Sequence, residues 1–126
     1  MLHLAIVAAG GAIGAGLRHL AGLAALRWMG AGFPWGTLFV NVVGSLAMGL
    51  LIAGLARRAG GTSAELRLFL ATGLLGGFTT FSAFSLDVAV LWERGETHAA
   101  VAYVLASVVV SIAALFAGLW LVRSFA

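Results

Sequence analysis

The sequence predicts an all-α membrane protein of four transmembrane helices, the third broken at mid-span. Two observations carry that prediction. Of the 126 residues, 63% are apolar and only 9% are charged, with a mean hydropathy of +1.13. Soluble domains carry about a quarter charged residues. The other observation is the stretch Gly73–Ser85, which holds three glycines, two threonines, two serines and three phenylalanines between apolar flanks. Paired glycines followed by two threonines weaken a continuous helix. Broken backbone inside a bilayer is tolerable only where it is buried in protein or lines a polar cavity, so the stretch points to a pathway or ion site.

A membrane helix needs roughly 20 apolar residues. Four of them with short links use nearly the whole chain, so residues 1–126 read as a single transmembrane domain. The pI of 11.2 arises from seven arginines and no lysine, set against four acids. No basic stripe exists, which excludes nucleic acid as a partner. The chain has no cysteine, hence no disulfide, thiolate metal site or cysteine nucleophile. The N-terminus lacks the basic start of a secretory signal and is expected to be a retained first helix.

The first span covers about residues 4–26. Gly10, Gly14, Arg18 and Gly22 recur every four residues on one face. Gly10 and Gly14 form a GxxxG pair that lets another helix approach closely. Arg18 fits either a side chain snorkelling to the headgroups or a functional cation. Gly14-Ala-Gly16 is not a dinucleotide loop, because His19 stands where the third glycine belongs and no strand precedes it.

Gly30, Gly32 and Pro34 mark a link, and the second span follows at about 35–55. Thr37, Asn41 and Ser45 lie four apart, on one slowly drifting stripe. They read either as interhelical hydrogen bonds or as a polar track. Arg57, Arg58, Gly60 and Gly61 make the next link, and Thr62-Ser-Ala-Glu65 has the spacing of a capping box. The third span covers about 66–92, in two short halves, 66–75 and 82–92. Asp87 in the second half is either a buried functional carboxylate or an interfacial one. Glu93-Arg-Gly-Glu96 is a polar turn, and the fourth span runs over about 98–122. Tyr103, Ser107 and Ser111 repeat the four-residue spacing. Lipid offers such stripes no partner, so both are expected to point at the same place.

With four spans, the termini and the second link share one side. That side holds Arg57, Arg58, Arg67 and Arg123; the other holds Arg27 and Arg94, with Arg18 near its edge. The positive-inside bias is weak. Such a chain can insert both ways, which permits an antiparallel dimer with an in-plane two-fold axis.

No catalytic set is present. His3, His19 and His98 are far apart, without an acid or serine in helical register or a metal-binding spacing. Hydroxyls and amide N–H groups can replace the hydration shell of an anion. Phe81 and Phe84, three apart on one face, could present their positive ring edges, or could simply pack. Arg18 would concentrate anions at a pore mouth. Helix N-termini at the break would add positive potential, and freed carbonyls could hold a small cation.

Gly10-Gly-Ala-Ile-Gly14-Ala-Gly-Leu-Arg18, Pro34-Trp-Gly36-Thr37-Leu-Phe-Val-Asn41-Val-Val-Gly44-Ser45 and Gly73–Ser85 resemble, in order, three signature regions of the Fluc (CrcB) fluoride channels. The fourth span matches more loosely, through Tyr103, Ser107 and Ser111. The resemblance implies a dual-topology antiparallel homodimer with two fluoride pores, in the cell inner (plasma) membrane. It implies a structural sodium ion on the backbone carbonyls of Gly76 and Thr79. It implies pore residues Asn41, Phe81 and Phe84, a polar track of Thr37, Ser82, Ser85, Tyr103, Ser107 and Ser111, and a vestibule arginine, Arg18. Ala83 departs from the pattern, standing where many relatives have threonine, and His19 stands where an aromatic is common.

The leading expectation is passive fluoride export that lowers cytoplasmic fluoride. One alternative is a small proton-coupled drug exporter, which needs a membrane carboxylate; the first span has none and only Asp87 could serve. Another is a non-transporting helper subunit that binds partners through its glycine faces. An enzyme is the least supported reading.

Overall fold

The computed structural model describes residues 1–58, 60, 61 and 63–125. Among them, four helices are long and apolar enough to cross a membrane. The first is α1 (Leu2–Met29) and the second α2 (Trp35–Ala56). The third is composite: α3 (Ala64–Arg67), a π-helical stretch Leu68–Leu75, α4 (Gly76–Phe78) and, after a break, α5 (Ser82–Glu93). The fourth is α6 (Thr97–Phe125).

The links follow local backbone chemistry. Gly30 takes φ 80° and donates its N–H to the Leu26 carbonyl, closing α1. At the end of α5, Gly95 has φ 79°. Its N–H reaches Trp92 O and the Glu96 N–H reaches Leu91 O, which together make a Schellman cap. The expected capping box starts at Thr62, outside the described residues. The described cap is Ser63, whose Oγ accepts the Leu66 N–H at 3.1 Å.

Glycine sets the helix pairing. A Cβ on Gly10 would meet the Phe69 carbonyl and Gly73, and one on Gly14 would collide with the Leu74 carbonyl and approach the Phe78 N–H. Both contacts advance in the same direction, so α1 runs parallel to the first half of the third span. This is the GxxxG face read from the sequence, buried against backbone. On the other side, Gly49 meets Leu115, and Gly118 meets Leu46 and Leu50. Those contacts make α2 parallel to α6, with residue i of α2 facing residues i+66 to i+72 of α6.

The break differs from expectation in place. The helix does not part at Gly76 and Gly77 but continues through Phe78. Gly77 is needed for packing instead, since a Cβ there would stand 2.6 Å from the Gly11 carbonyl oxygen. The chain leaves the helix at Thr79, whose backbone is extended (φ −86°, ψ 161°). The Thr79 hydroxyl turns back to the Leu75 carbonyl at 3.0 Å. The π-helical stretch before the break was not legible in the sequence. It lies against the glycines of α1, and such wide turns often occur beside functional sites.

The small apolar core is Phe84, Leu91, Ala100 and Tyr103, with Phe33, Leu38 and Val88 packed on it. It joins α5 to α6 and to the link before α2, and so anchors the second half of the third span.

Candidate ion pathway

Four backbone groups at the break find side-chain partners, and these define the centre of the site. Asn41 on α2 donates its Nδ2–H to the Thr80 carbonyl at 2.9 Å and accepts the Thr80 N–H on Oδ1 at 2.8 Å. A side-chain amide thus stands in for the peptide that a helix would have supplied. Thr80 Oγ1 accepts the Ala83 N–H at 3.1 Å, which caps α5. Arg18 Nε donates to the Gly77 carbonyl at 3.1 Å. Asn41 has a second N–H that these bonds leave over.

Two cavities meet at this clamp, and Thr80 lines both. One, of about 450 Å³, opens towards the α1–α2 link; its wall includes Arg18, His19, Thr37, Ala83, Asp87 and Arg94. This is a vestibule with charged walls. The other, of about 470 Å³, is a groove between α2, α6 and the break. It is lined by Asn41, Ser45, Thr79, Phe81, Phe84, Ser107 and Ser111 among others. Asn41 and Ser45 of α2 thus share one groove with Ser107 and Ser111 of α6, whereas Thr37 and Tyr103 of the same stripes lie outside it.

The hydroxyls of Ser107 and Ser111 are buried with no hydrogen-bond partner among the described residues. A buried hydroxyl left unpaired costs about 1–3 kcal/mol, and two of them lie on one wall of the groove. Phe84 is 7% exposed and packs its ring 5.2 Å from Tyr103 and 5.4 Å from Phe81. Phe81 is 76% exposed, at the open side of the groove.

The remaining expected residues divide. Thr37 lines the vestibule, near the Tyr103 hydroxyl. Tyr103 is fully buried, and its hydroxyl donates to Asp87 Oδ2 at 2.9 Å. Ser82 and Ser85 are exposed and line neither cavity. The Ser85 hydroxyl bonds the Phe81 carbonyl, and Ser82 Oγ lies 3.4 Å from Thr80 Oγ1. Gly76 is exposed beside the break, and Thr79 lines the groove. Sequence reasoning missed Thr80 as the hub and left Asp87 open. The two adjacent threonines after paired glycines were the available signal for the hub.

Asp87 is therefore a bonded vestibule carboxylate, not a free one. Among the described residues no group of three His, Asp, Glu or Cys side chains could hold a metal. What the groove offers is neutral: an amide N–H, hydroxyls and ring edges.

The family model described as CrcB-like protein, Camphor Resistance (CrcB), matches residues 5–119. The chain belongs to the CrcB family. A protein of Chelativorans sp. (strain BNC1) named fluoride-specific ion channel FluC is 68% identical over 124 residues, 98% of both chains. A Mesorhizobium japonicum protein of the same name is 63% identical over 124 residues, again 98% of both chains. One from Hyphomonas neptunium is 61% identical over 118 residues, 94% of this chain and 93% of that protein. Together with the four apolar spans, membership makes this a multi-pass membrane protein.

Proposed function

We propose that this CrcB-family chain is a fluoride-selective channel, not an enzyme, and that it passively exports fluoride across the cell inner membrane. The observation that carries the reading is the groove with two unpartnered serine hydroxyls facing the Asn41 side of α2. Fluoride is small and holds its water tightly, so a path must replace that water with donors at nearly every step. Ser107, Ser111 and the spare Asn41 N–H are such donors, and Phe81 and Phe84 add ring edges. All are neutral, so the anion meets no fixed charge that would trap it. Arg18 in the vestibule raises the local anion concentration, with Thr37 beside the entrance and Tyr103 behind it. The names of the 68% and 63% identical relatives support the choice of ion.

A groove of hydroxyls and amide cannot face hydrocarbon. An antiparallel second copy would close it, and the near-even arginine count on the two sides suits insertion in both orientations. Ser82 and Ser85, exposed in one chain, would then reach the path at the seam between copies.

The break also fits a resident sodium ion. Among the described residues no hydrogen bond reaches the Thr79 carbonyl, where the backbone is extended. The carbonyls of Thr79 and of the neighbouring Gly76 would hold the ion, and a two-fold-related copy would double the oxygens. Bound there, it would supply a fixed positive charge that pins the break.

The test is reconstitution into liposomes with a fluoride electrode and chloride as the control. Rapid fluoride efflux with chloride at leak level is expected. Equal passage of both ions, or passage of neither, would remove the reading.

A further inference from the structure

The two ends of the bundle differ in net charge far more than in arginine count. One end carries Arg57, Arg58, Arg67 and Arg123 against a single acid, Glu65. The other carries three arginines against three acids, Asp87, Glu93 and Glu96. The whole net charge of +3 therefore sits at the end formed by the α2–α3 link and the C-terminus of α6. Glu65 is already engaged, facing His3 at 3.5 Å. All four arginine side chains are exposed, and none has an ion pair or side-chain hydrogen bond among the described residues. α2 and α6 pack side by side towards this end, with Gly49 against Leu115 and Leu119 and Gly118 against Leu50.

We propose that this end is a binding site for the phosphate of anionic lipid headgroups, held by Arg57, Arg58 and Arg123. Guanidinium groups bind phosphate through paired N–H donors, and juxtamembrane arginine clusters draw anionic lipid with a strength that grows with each cation. Acids count little in orienting a chain during insertion, whereas arginines do. The chain thus keeps a near-balanced arginine count while one end stays strongly cationic. In an antiparallel pair each leaflet receives one such end. The site lies outside both cavities, so it stands or falls independently of the ion that passes through the groove.

Trp120 reports on this end. It is 60% exposed and one turn before Arg123, while Trp28, Trp35 and Trp92 lie at the opposite end. The full chain carrying Trp28→Phe, Trp35→Phe and Trp92→Phe is reconstituted in phosphatidylcholine, and Trp120 fluorescence is quenched with brominated phosphatidylglycerol or brominated phosphatidylcholine. A preference for phosphatidylglycerol of about tenfold is expected, falling to within about twofold on adding Arg57→Gln, Arg58→Gln and Arg123→Gln. Excess inorganic phosphate at constant ionic strength should leave the preference intact. Equal quenching by both lipids overturns the proposal; so does a preference that survives the arginine changes or is abolished by free phosphate. Should the tryptophan replacements prevent folding, the natural chain gives a second readout. Phospholipid retained through purification should be enriched in phosphatidylglycerol and lose that enrichment with the three arginine changes; no enrichment overturns the site.

Discussion

The molecule contains two parallel helix pairs that begin alike and end differently. In the first, α1 lies on the π-helical stretch and α4, with Gly10, Gly14, Gly73 and Gly77 bringing backbone against backbone. In the second, Gly49 and Gly118 bring α2 and α6 together in the same way near one end. Towards the middle of the bundle this second pair opens into the groove of Asn41, Ser45, Ser107 and Ser111. Glycine makes a seam and hydroxyl makes a path. A side chain added to the seam should therefore abolish the fold, whereas a hydroxyl removed from the groove should abolish only transport.

The largest effect should come from the seam. Gly14→Val places carbon in the Leu74 carbonyl and should cost about 3 kcal/mol or more, seen as loss of a monodisperse peak on size exclusion. Gly16→Val, with nothing within 4 Å of a Cβ there, should leave that peak unchanged. Equal tolerance of both changes would break the distinction at its first term.

The clamp ranks next because it belongs to both pairs. Asn41→Ala removes both bonds to Thr80 and leaves its N–H and carbonyl unpaired, at about 1–3 kcal/mol each. Thermal stability should fall and fluoride flux should drop about a hundredfold. Asn41→Asp keeps an acceptor for the Thr80 N–H but sets a negative charge in an anion's path, so more of the fold than of the flux should survive. Flux unchanged in both variants would remove Asn41 from the pathway.

Phe81→Ile should leave stability within about 0.5 kcal/mol, since the ring is largely exposed, yet reduce fluoride efflux about tenfold or more. Smallest of all should be Asp87→Asn, which still accepts the Tyr103 hydroxyl. Stability should move by less than about 1 kcal/mol and fluoride flux should not fall. A transporter driven by protons through that carboxylate would instead lose its activity, which separates the two mechanisms.

The four spans were legible from apolar length, and the glycine face of α1 and the two polar stripes from a spacing of four within those spans. The convergence of the stripes followed from the cost of polar groups in lipid. The position of the break was less legible. Glycines 76 and 77 look like breakers, but close contact with Gly11 uses Gly77 as a packing residue, and the helix yields at Thr79. The role of Thr80 was hidden because it depends on Asn41, 39 residues earlier. Asp87 could not be placed without its buried partner Tyr103, and the π-helical turns leave no mark in composition.

The central claim is that unpartnered hydroxyls in the groove are the steps of the path. Its most direct test is Ser107→Ala with Ser111→Ala, assayed in liposomes for fluoride and chloride efflux alongside thermal stability. Removing hydroxyls that bond nothing among the described residues should leave stability unchanged or slightly raised, while fluoride efflux falls about tenfold or more and chloride stays at leak level. Undiminished fluoride efflux from a double variant of full stability would contradict the account.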